Sequence, residues 1–188
     1  MWSVVERRPE LILRGHAGCV KALNFSQHAK GLASGSTAGE VMIWSPLGKL
    51  EINLKPCGFV VCAVSYSPDG MSLAVGGTEG QCRIYSIGTG VCILAIQCDP
   101  GPGSIRSVAF SPAGTLLATG SDDGNMSIFG TADGHCKLAM PVGRTVRRCS
   151  VAVGSCRGTP AGGQPARGCL CGGVLTGPCA GSQGTDLS

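Results

Sequence analysis

Two sets of aromatic residues recur along this chain at one spacing, and that repeat constrains the fold more than any other feature. Phe25, Tyr66 and Phe110 each close a short apolar run, while Trp44, Tyr85 and Phe129 each close another. Both sets step by 41 residues (25 to 66, 44 to 85) and then by 44 (66 to 110, 85 to 129). Two independent landmarks with one period define an internal repeat, whose unit buries its apolar face only by stacking on its neighbours. The best-kept copy is residues 105–129, IRSVAFSPAGTLLATGSDDGNMSIF. Ser111-Pro112-Ala113-Gly114 and Asp122-Asp123-Gly124 are turn sequences between runs of strand-forming residues, so the unit reads as a β-meander.

Aligning the copies predicts four strands, a to d, per repeat. The first repeat places them at 20–25, 32–36, 41–44 and about 50–54. The second places them at 60–66, 72–76, 82–85 and 91–96, and the third at 105–110, 115–120, 125–129 and about 135–140. Leu11-Ile12-Leu13 reads as one further strand ahead of Gly15-His16. The loop Asp99-Pro-Gly-Pro-Gly103 accounts for the longer second step; without Gly-Lys-Ser/Thr at its end it is a surface loop, not a phosphate cradle. Charged residues make up only 14% of the chain and Gly numbers 31, which suits strands buried on both faces and joined by tight turns.

The period, with Gly15-His16, Ser67-Pro-Asp-Gly70, Leu32-Ala-Ser-Gly-Ser36, Leu117-Ala-Thr-Gly-Ser121-Asp-Asp-Gly124 and Met42-Ile-Trp44, resembles the WD-repeat family over about residues 11–140. The resemblance implies that each repeat is a propeller blade. The expected fold is all-β: three four-stranded antiparallel blades at about 11–55, 56–97 and 98–140, preceded by a lead-in at 1–10 and followed by a tail at 141–188. In the family a His after Gly, a Ser or Thr in strand b, an Asp in the b–c turn and the Trp form a hydrogen-bonded set that pins the blade. On that basis His16, Ser34 and Trp44 pin the first blade. Ala38 stands where the Asp belongs, which leaves the set incomplete. Asp123 holds the turn position in the third.

Residues 141–188 differ in character. They combine many Gly, Pro and Cys with no aromatic residue and no periodicity, and are expected to be disordered. Arg144, Arg147, Arg148, Arg157 and Arg167 against Asp186 give the tail the chain's entire formal charge of +4, so residues 1–140 are neutral and no nucleic-acid partner is expected. Cys156, Cys169, Cys171 and Cys179 lack the C-x₂-C spacing usual for structural zinc. No metal or cofactor is expected. No apolar run is long enough to span a bilayer, and the N-terminus lacks the apolar core of a signal peptide. An intracellular, mainly cytoplasmic setting follows as an expectation. Dispersed Cys such as Cys62, Cys82 and Cys92 then act as small apolar side chains rather than as a disulfide framework.

No nucleophile–base pair or nucleotide loop accompanies His16, so the chain is expected to be non-enzymatic. The resemblance implies a scaffold or adaptor that presents blade loops to other proteins, with cytoskeletal or ciliary assemblies as a more specific setting. Lys21, Cys62 and Arg106, equivalent second residues of strand a, are candidate partner contacts, and Phe59 is a candidate exposed contact. The alternative is a truncated or alternatively terminated form of a larger WD-repeat protein with no binding activity of its own. Three blades do not close a ring at ordinary propeller geometry, so a further expectation is completion by another chain, for instance a head-to-tail pair with six blades.

Overall fold

The computed structural model describes residues 11–27, 31–54, 58–98 and 103–141. The expectations for the lead-in, for most of the 99–103 loop and for the tail lie outside the described residues. Among the described residues, twelve strands form three antiparallel sheets of four, each in simple meander order. The first contains β1 (Val20–Phe25), β2 (Leu32–Ser36), β3 (Val41–Trp44) and β4 (Leu50–Leu54). The second contains β5 (Val61–Tyr66), β6 (Ser72–Gly77), β7 (Gln81–Ser86) and β8 (Cys92–Gln97). The third contains β9 (Ile105–Phe110), β10 (Leu116–Ser121), β11 (Asn125–Gly130) and β12 (Cys136–Pro141).

Residue 11 to residue 13 is not a strand. Leu13 packs instead on Leu32, Met42 and Trp44, so the segment covers the outer side of the first sheet without pairing along an edge. The other boundaries differ from the sequence reading by a residue or so, with β7 beginning at Gln81 and β12 at Cys136.

The sheets stack face to face, and side-chain alternation along each strand sends every second residue to one neighbour. Between the first two sheets, Ala33, Val41, Ile43 and Leu54 meet Val61, Val64, Tyr66, Leu73, Val75 and Tyr85. Between the second and third, Ala63, Ala74, Cys82, Ile84 and Ile96 meet Ile105, Val108, Leu117 and Phe129. At the centre of each joint a glycine of the leading sheet receives two aliphatic side chains of the following one. Gly35 faces Val61 and Val64; a Cβ on Gly76 would lie 2.6 Å from Ile105 Cγ2 and 2.9 Å from Val108 Cγ1. The Asn24 side chain also accepts the Tyr66 backbone N–H across the first joint at 2.9 Å.

The b–c turns carry Gly39, Gly80 and Gly124 at φ of 76°, 66° and 89°. In the second blade the preceding residue, Glu79, also adopts a left-handed conformation (φ 60°, ψ 28°), alone among the described non-glycine residues.

Candidate functional site

Each inner strand begins with the same device. The residue just before β1, β5 and β9 exchanges two hydrogen bonds with the first residue of its own b–c turn. In the first blade Thr37 N–H donates to Cys19 O at 2.9 Å, and Cys19 N–H donates to Thr37 Oγ1 at 3.0 Å. Thr78 and Val60 repeat the pair at 3.2 and 3.3 Å. In the third blade Asp122 N–H donates to Ser104 O at 3.1 Å and Ser104 N–H to Asp122 Oδ1 at 2.6 Å. The d–a loop and the b–c turn are thereby fastened together on one rim of every blade. Thr37, Thr78 and Asp122 follow the 41- and 44-residue steps, so the period carried this signal, although the turn chemistry drew attention to Asp123. Asp123 itself accepts the Asn125 N–H at 2.9 Å within its own turn.

Directly after this tie, each inner strand bulges. Val20 faces Ser36 and Ala22 faces Gly35, which leaves Lys21 without a partner in the ladder. Cys62 is skipped in the same way between Val61 and Ala63, and Arg106 between Ile105 and Ser107. A β-bulge re-aims one side chain and strengthens the local twist. The three candidate contacts therefore share one geometry in three blades.

Their environments differ. Lys21 and Arg106 are exposed and Cys62 is half-buried. Arg106 makes a two-pronged ion pair with Asp122, Nε at 3.0 Å and Nη2 at 2.8 Å, and its Nη1 lies 3.7 Å from Cys62 Sγ on the neighbouring blade. Burial raises the Asp122 carboxyl, but the hydrogen bonds from Arg106 and from the Ser104 amide outweigh it and hold the group below the usual Asp range. Burial pushes the Cys62 thiol up, with Arg106 and Lys21 opposing and Asp122 reinforcing. The rim thus runs from a cation through a neutral thiol to a cation already matched by a carboxylate.

The first blade also carries a buried polar chain. Trp44 Nε1–H donates to Ser34 Oγ at 2.8 Å, and Ser34 Oγ lies 2.6 Å from His16 Nε2. The indole can only donate, so Ser34 Oγ accepts from it; the same hydroxyl lies 3.4 Å from Met42 O, and His16 Nδ1 lies 3.3 Å from Glu40 Oε2. Glu40 Oε2 also accepts the Ala17 N–H at 3.0 Å, and this bond leads in lowering the Glu40 carboxyl below its usual range, with burial opposing and His16 adding to it. The set left incomplete by Ala38 is closed by an acid two residues further on. Glu40 was legible as a charge in a turn, but its reach back to residue 16 depends on the path of the 11–16 segment.

Phe59 is not an exposed contact. Positive φ at Gly58 turns the chain inward, and the ring is 6% exposed, packed over Gly77 with Arg83 Cζ 5.5 Å from its centroid. In the third blade Thr119, Ser121 and Asn125 hold the positions of Ser34, Ser36 and Glu40, by register with Val108, Ile105 and the b–c turn. They line, with Cys98 and Gly103, a cavity with room for about one water molecule, and the buried Ser121 Oγ there has no partner. It occupies the place that the imidazole fills in the first blade. Among the described residues no group of three His, Cys, Asp or Glu is placed to hold a metal ion, and no helix is long and apolar enough to cross a membrane.

Stacked four-stranded meanders with a pinned His–Ser–Trp chain define this molecule as a set of propeller-type blades. The family model described as WD domain, G-beta repeat matches residues 7–45, 48–86 and 90–130, well over half of the chain, and the chain belongs to that WD40 family. A guanine nucleotide-binding protein subunit beta of Nicotiana tabacum is 34% identical over 79 residues, covering 40% of this chain and 20% of that protein. Periodic tryptophan protein 2 of Saccharomyces cerevisiae is 37% identical over 89 residues, covering 46% of this chain and 10% of that protein. A guanine nucleotide-binding protein subunit beta-1 of Caenorhabditis briggsae is 28% identical over 88 residues, 45% of this chain and 25% of that protein. The chain thus spans a quarter or less of each of these relatives.

Proposed function

We propose that this chain is a non-enzymatic protein-binding module whose recognition surface is the rim carrying Lys21, Cys62 and Arg106. The observation that supports it is the bulge repeated at one register in all three inner strands, with a different side chain on each. A fixed backbone presenting variable side chains is an arrangement for recognition: the ties at Thr37, Thr78 and Asp122 hold the frame, and the bulged residue supplies the contact. Relatives named as subunits of a guanine nucleotide-binding protein agree with a role in assembly with other proteins. Quantitative pulldown from cell extract compares wild type with Lys21→Glu and, separately, Arg106→Gln. Loss of a reproducible partner set is expected, with an unchanged thermal melt for Lys21→Glu and β-sheet circular dichroism retained in both. An unchanged partner set in both variants refutes the rim as the recognition surface.

A competing reading is a truncated product without binding activity, favoured by the exposed Leu23 and Phe25 on the first sheet. It predicts a short cellular half-life and capture of chaperones alone, whereas the scaffold reading predicts stoichiometric partners.

A further inference from the structure

The corner between the d–a loop, strand b and the b–c turn is closed differently in each blade. Ser36, Gly77 and Ser121 share one register there, opposite Val20, Val61 and Ile105. In the first blade the Ser36 hydroxyl donates to Glu40 Oε2 at 3.4 Å and accepts the Ala38 N–H at 3.3 Å. The His16 ring sits beside it, against Ser34. In the second blade the hydroxyl is gone, and the Phe59 ring lies on bare Gly77.

The third blade keeps the hydroxyl and loses what answered it. Asn125 stands in place of Glu40, and Gly103, in the place of Phe59, has no side chain. Ser121 is 7% exposed, and its Oγ is buried without a hydrogen-bond partner. A Cβ on Gly103 would run into Ser121 Oγ and lie 2.8 Å from Asp123 Oδ2, so both oxygens border the space in front of that glycine. Gly103 does not adopt a positive φ, so the backbone does not demand glycine there. Thr119 lines the same cavity, and its Oγ1 lacks the donor that Ser34 has in the Trp44 indole, because the Phe129 ring carries no N–H. Gly80 and Cys98 of the second blade close the other side, with Cys98 Sγ 3.7 Å from Thr119 Oγ1. Apolar cavities stay dry, but five of the nine residues lining this one are polar: Thr119, Ser121, Asp123, Asn125 and Ser127. We propose that the joint between the second and third blades holds one structural water here, bound by the hydroxyls of Ser121 and Thr119. It does for the third blade what the imidazole does for the first and the phenyl ring for the second. A buried hydroxyl left unbonded bears its full desolvation cost, and one bridging water removes that cost for a small loss of entropy.

Oxygen-17 relaxation dispersion of the full 188-residue chain tests the site. It counts waters held for longer than the protein takes to tumble, and it reads the water oxygen, so hydroxyl proton exchange does not enter. Ser121→Val replaces the hydroxyl by one methyl and puts a second into the cavity. Wild type is expected to hold one more long-lived water than this variant. Equal counts in the two folded proteins overturn the proposal. Ser121→Ala reads the same point through stability. With a water bound, the change breaks a hydrogen bond and the thermal melt should fall by about 2–6 °C. A hydroxyl buried in a dry cavity would be better removed, so a melt that is unchanged or raised overturns the proposal. If Ser121→Val loses its β-sheet circular dichroism, the direction of the Ser121→Ala shift decides.

Discussion

Replacing Ser34 by Ala tests whether the polar chain in the first blade holds the fold. Ser34 Oγ is the only atom joining Trp44 to His16: it accepts from the indole at 2.8 Å and lies 2.6 Å from the imidazole. Removal leaves two polar groups without a partner in a site whose rings sit edge to face, 6.4 Å apart. The buried indole N–H bears the full cost of about 1–3 kcal/mol for an unmade bond, and the part-buried imidazole bears the lower end of that range. The expected loss is about 2–4 kcal/mol, a large share of the stability of a domain this size. Urea unfolding followed by tryptophan fluorescence and circular dichroism measures it. In a Trp44→Phe background the indole donor is gone, so the same Ser34→Ala change should cost about 1–2 kcal/mol less. Ser34→Thr keeps a hydroxyl, as Thr119 does in the third blade, and should cost under about 1 kcal/mol. A Ser34→Ala loss below about 0.5 kcal/mol, or an equal loss with and without the indole, refutes the polar chain as a structural pin.

Gly76→Val forces branched carbon against Ile105 and Val108 and should cost at least about 1–3 kcal/mol by urea melt, whereas Gly88→Ala, which meets nothing within 4 Å, should be neutral or stabilising. Tyr66→Phe should not destabilise: the phenol is buried without a hydrogen-bond partner, its pKa pushed up to about 12 by burial and then by Glu51, and Phe110 fills the equivalent place. A thermal melt lowered by several degrees would contradict that account. Glu79→Asn should raise stability by about 0.5–1 kcal/mol, because Asn tolerates the left-handed backbone better than Glu. Glu40, Asp122 and Asp133 all have folded pKa values below their ordinary ones, so they stabilise fully above the ordinary carboxylate range and lose that contribution as pH falls through the lower folded values. Melting temperature should therefore drop below about pH 4, and Asp122→Asn should flatten that acid limb.

The strands were legible because the period fixes them three times over. A misplaced boundary in one copy is corrected by the other two, and the turn glycines at 39, 80 and 124 recur with the same step. What the sequence concealed depends on a single path through space. Phe59 looked available because it precedes a strand, but Gly58 at positive φ and the bare Gly77 draw it inside. The part Glu40 plays was hidden because its partner lies 24 residues earlier, on a segment with no regular structure. Lys21, Cys62 and Arg106 could be aligned as equivalents, but period-2 alternation assigns each to a face of the sheet. Only the bulge lifts them out of that alternation and onto the rim.

The same comparison explains why the blades diverge in chemistry without diverging in shape. The backbone exchange between the residue before strand a and the start of the b–c turn persists whether the turn residue is Thr37, Thr78 or Asp122, because an oxygen on a short side chain suffices. Each blade's geometry therefore does not depend on the His–Ser–Trp chain, which the second blade replaces with Val75 and Tyr85 and the third with Thr119 and Phe129. That independence frees the bulged position to vary, and Asp122 shows the two roles meeting: one carboxylate both holds its turn and orients Arg106 toward Cys62 of the neighbouring blade. Changing Asp122 should therefore disturb frame and rim together, while changing Lys21 should touch the rim alone.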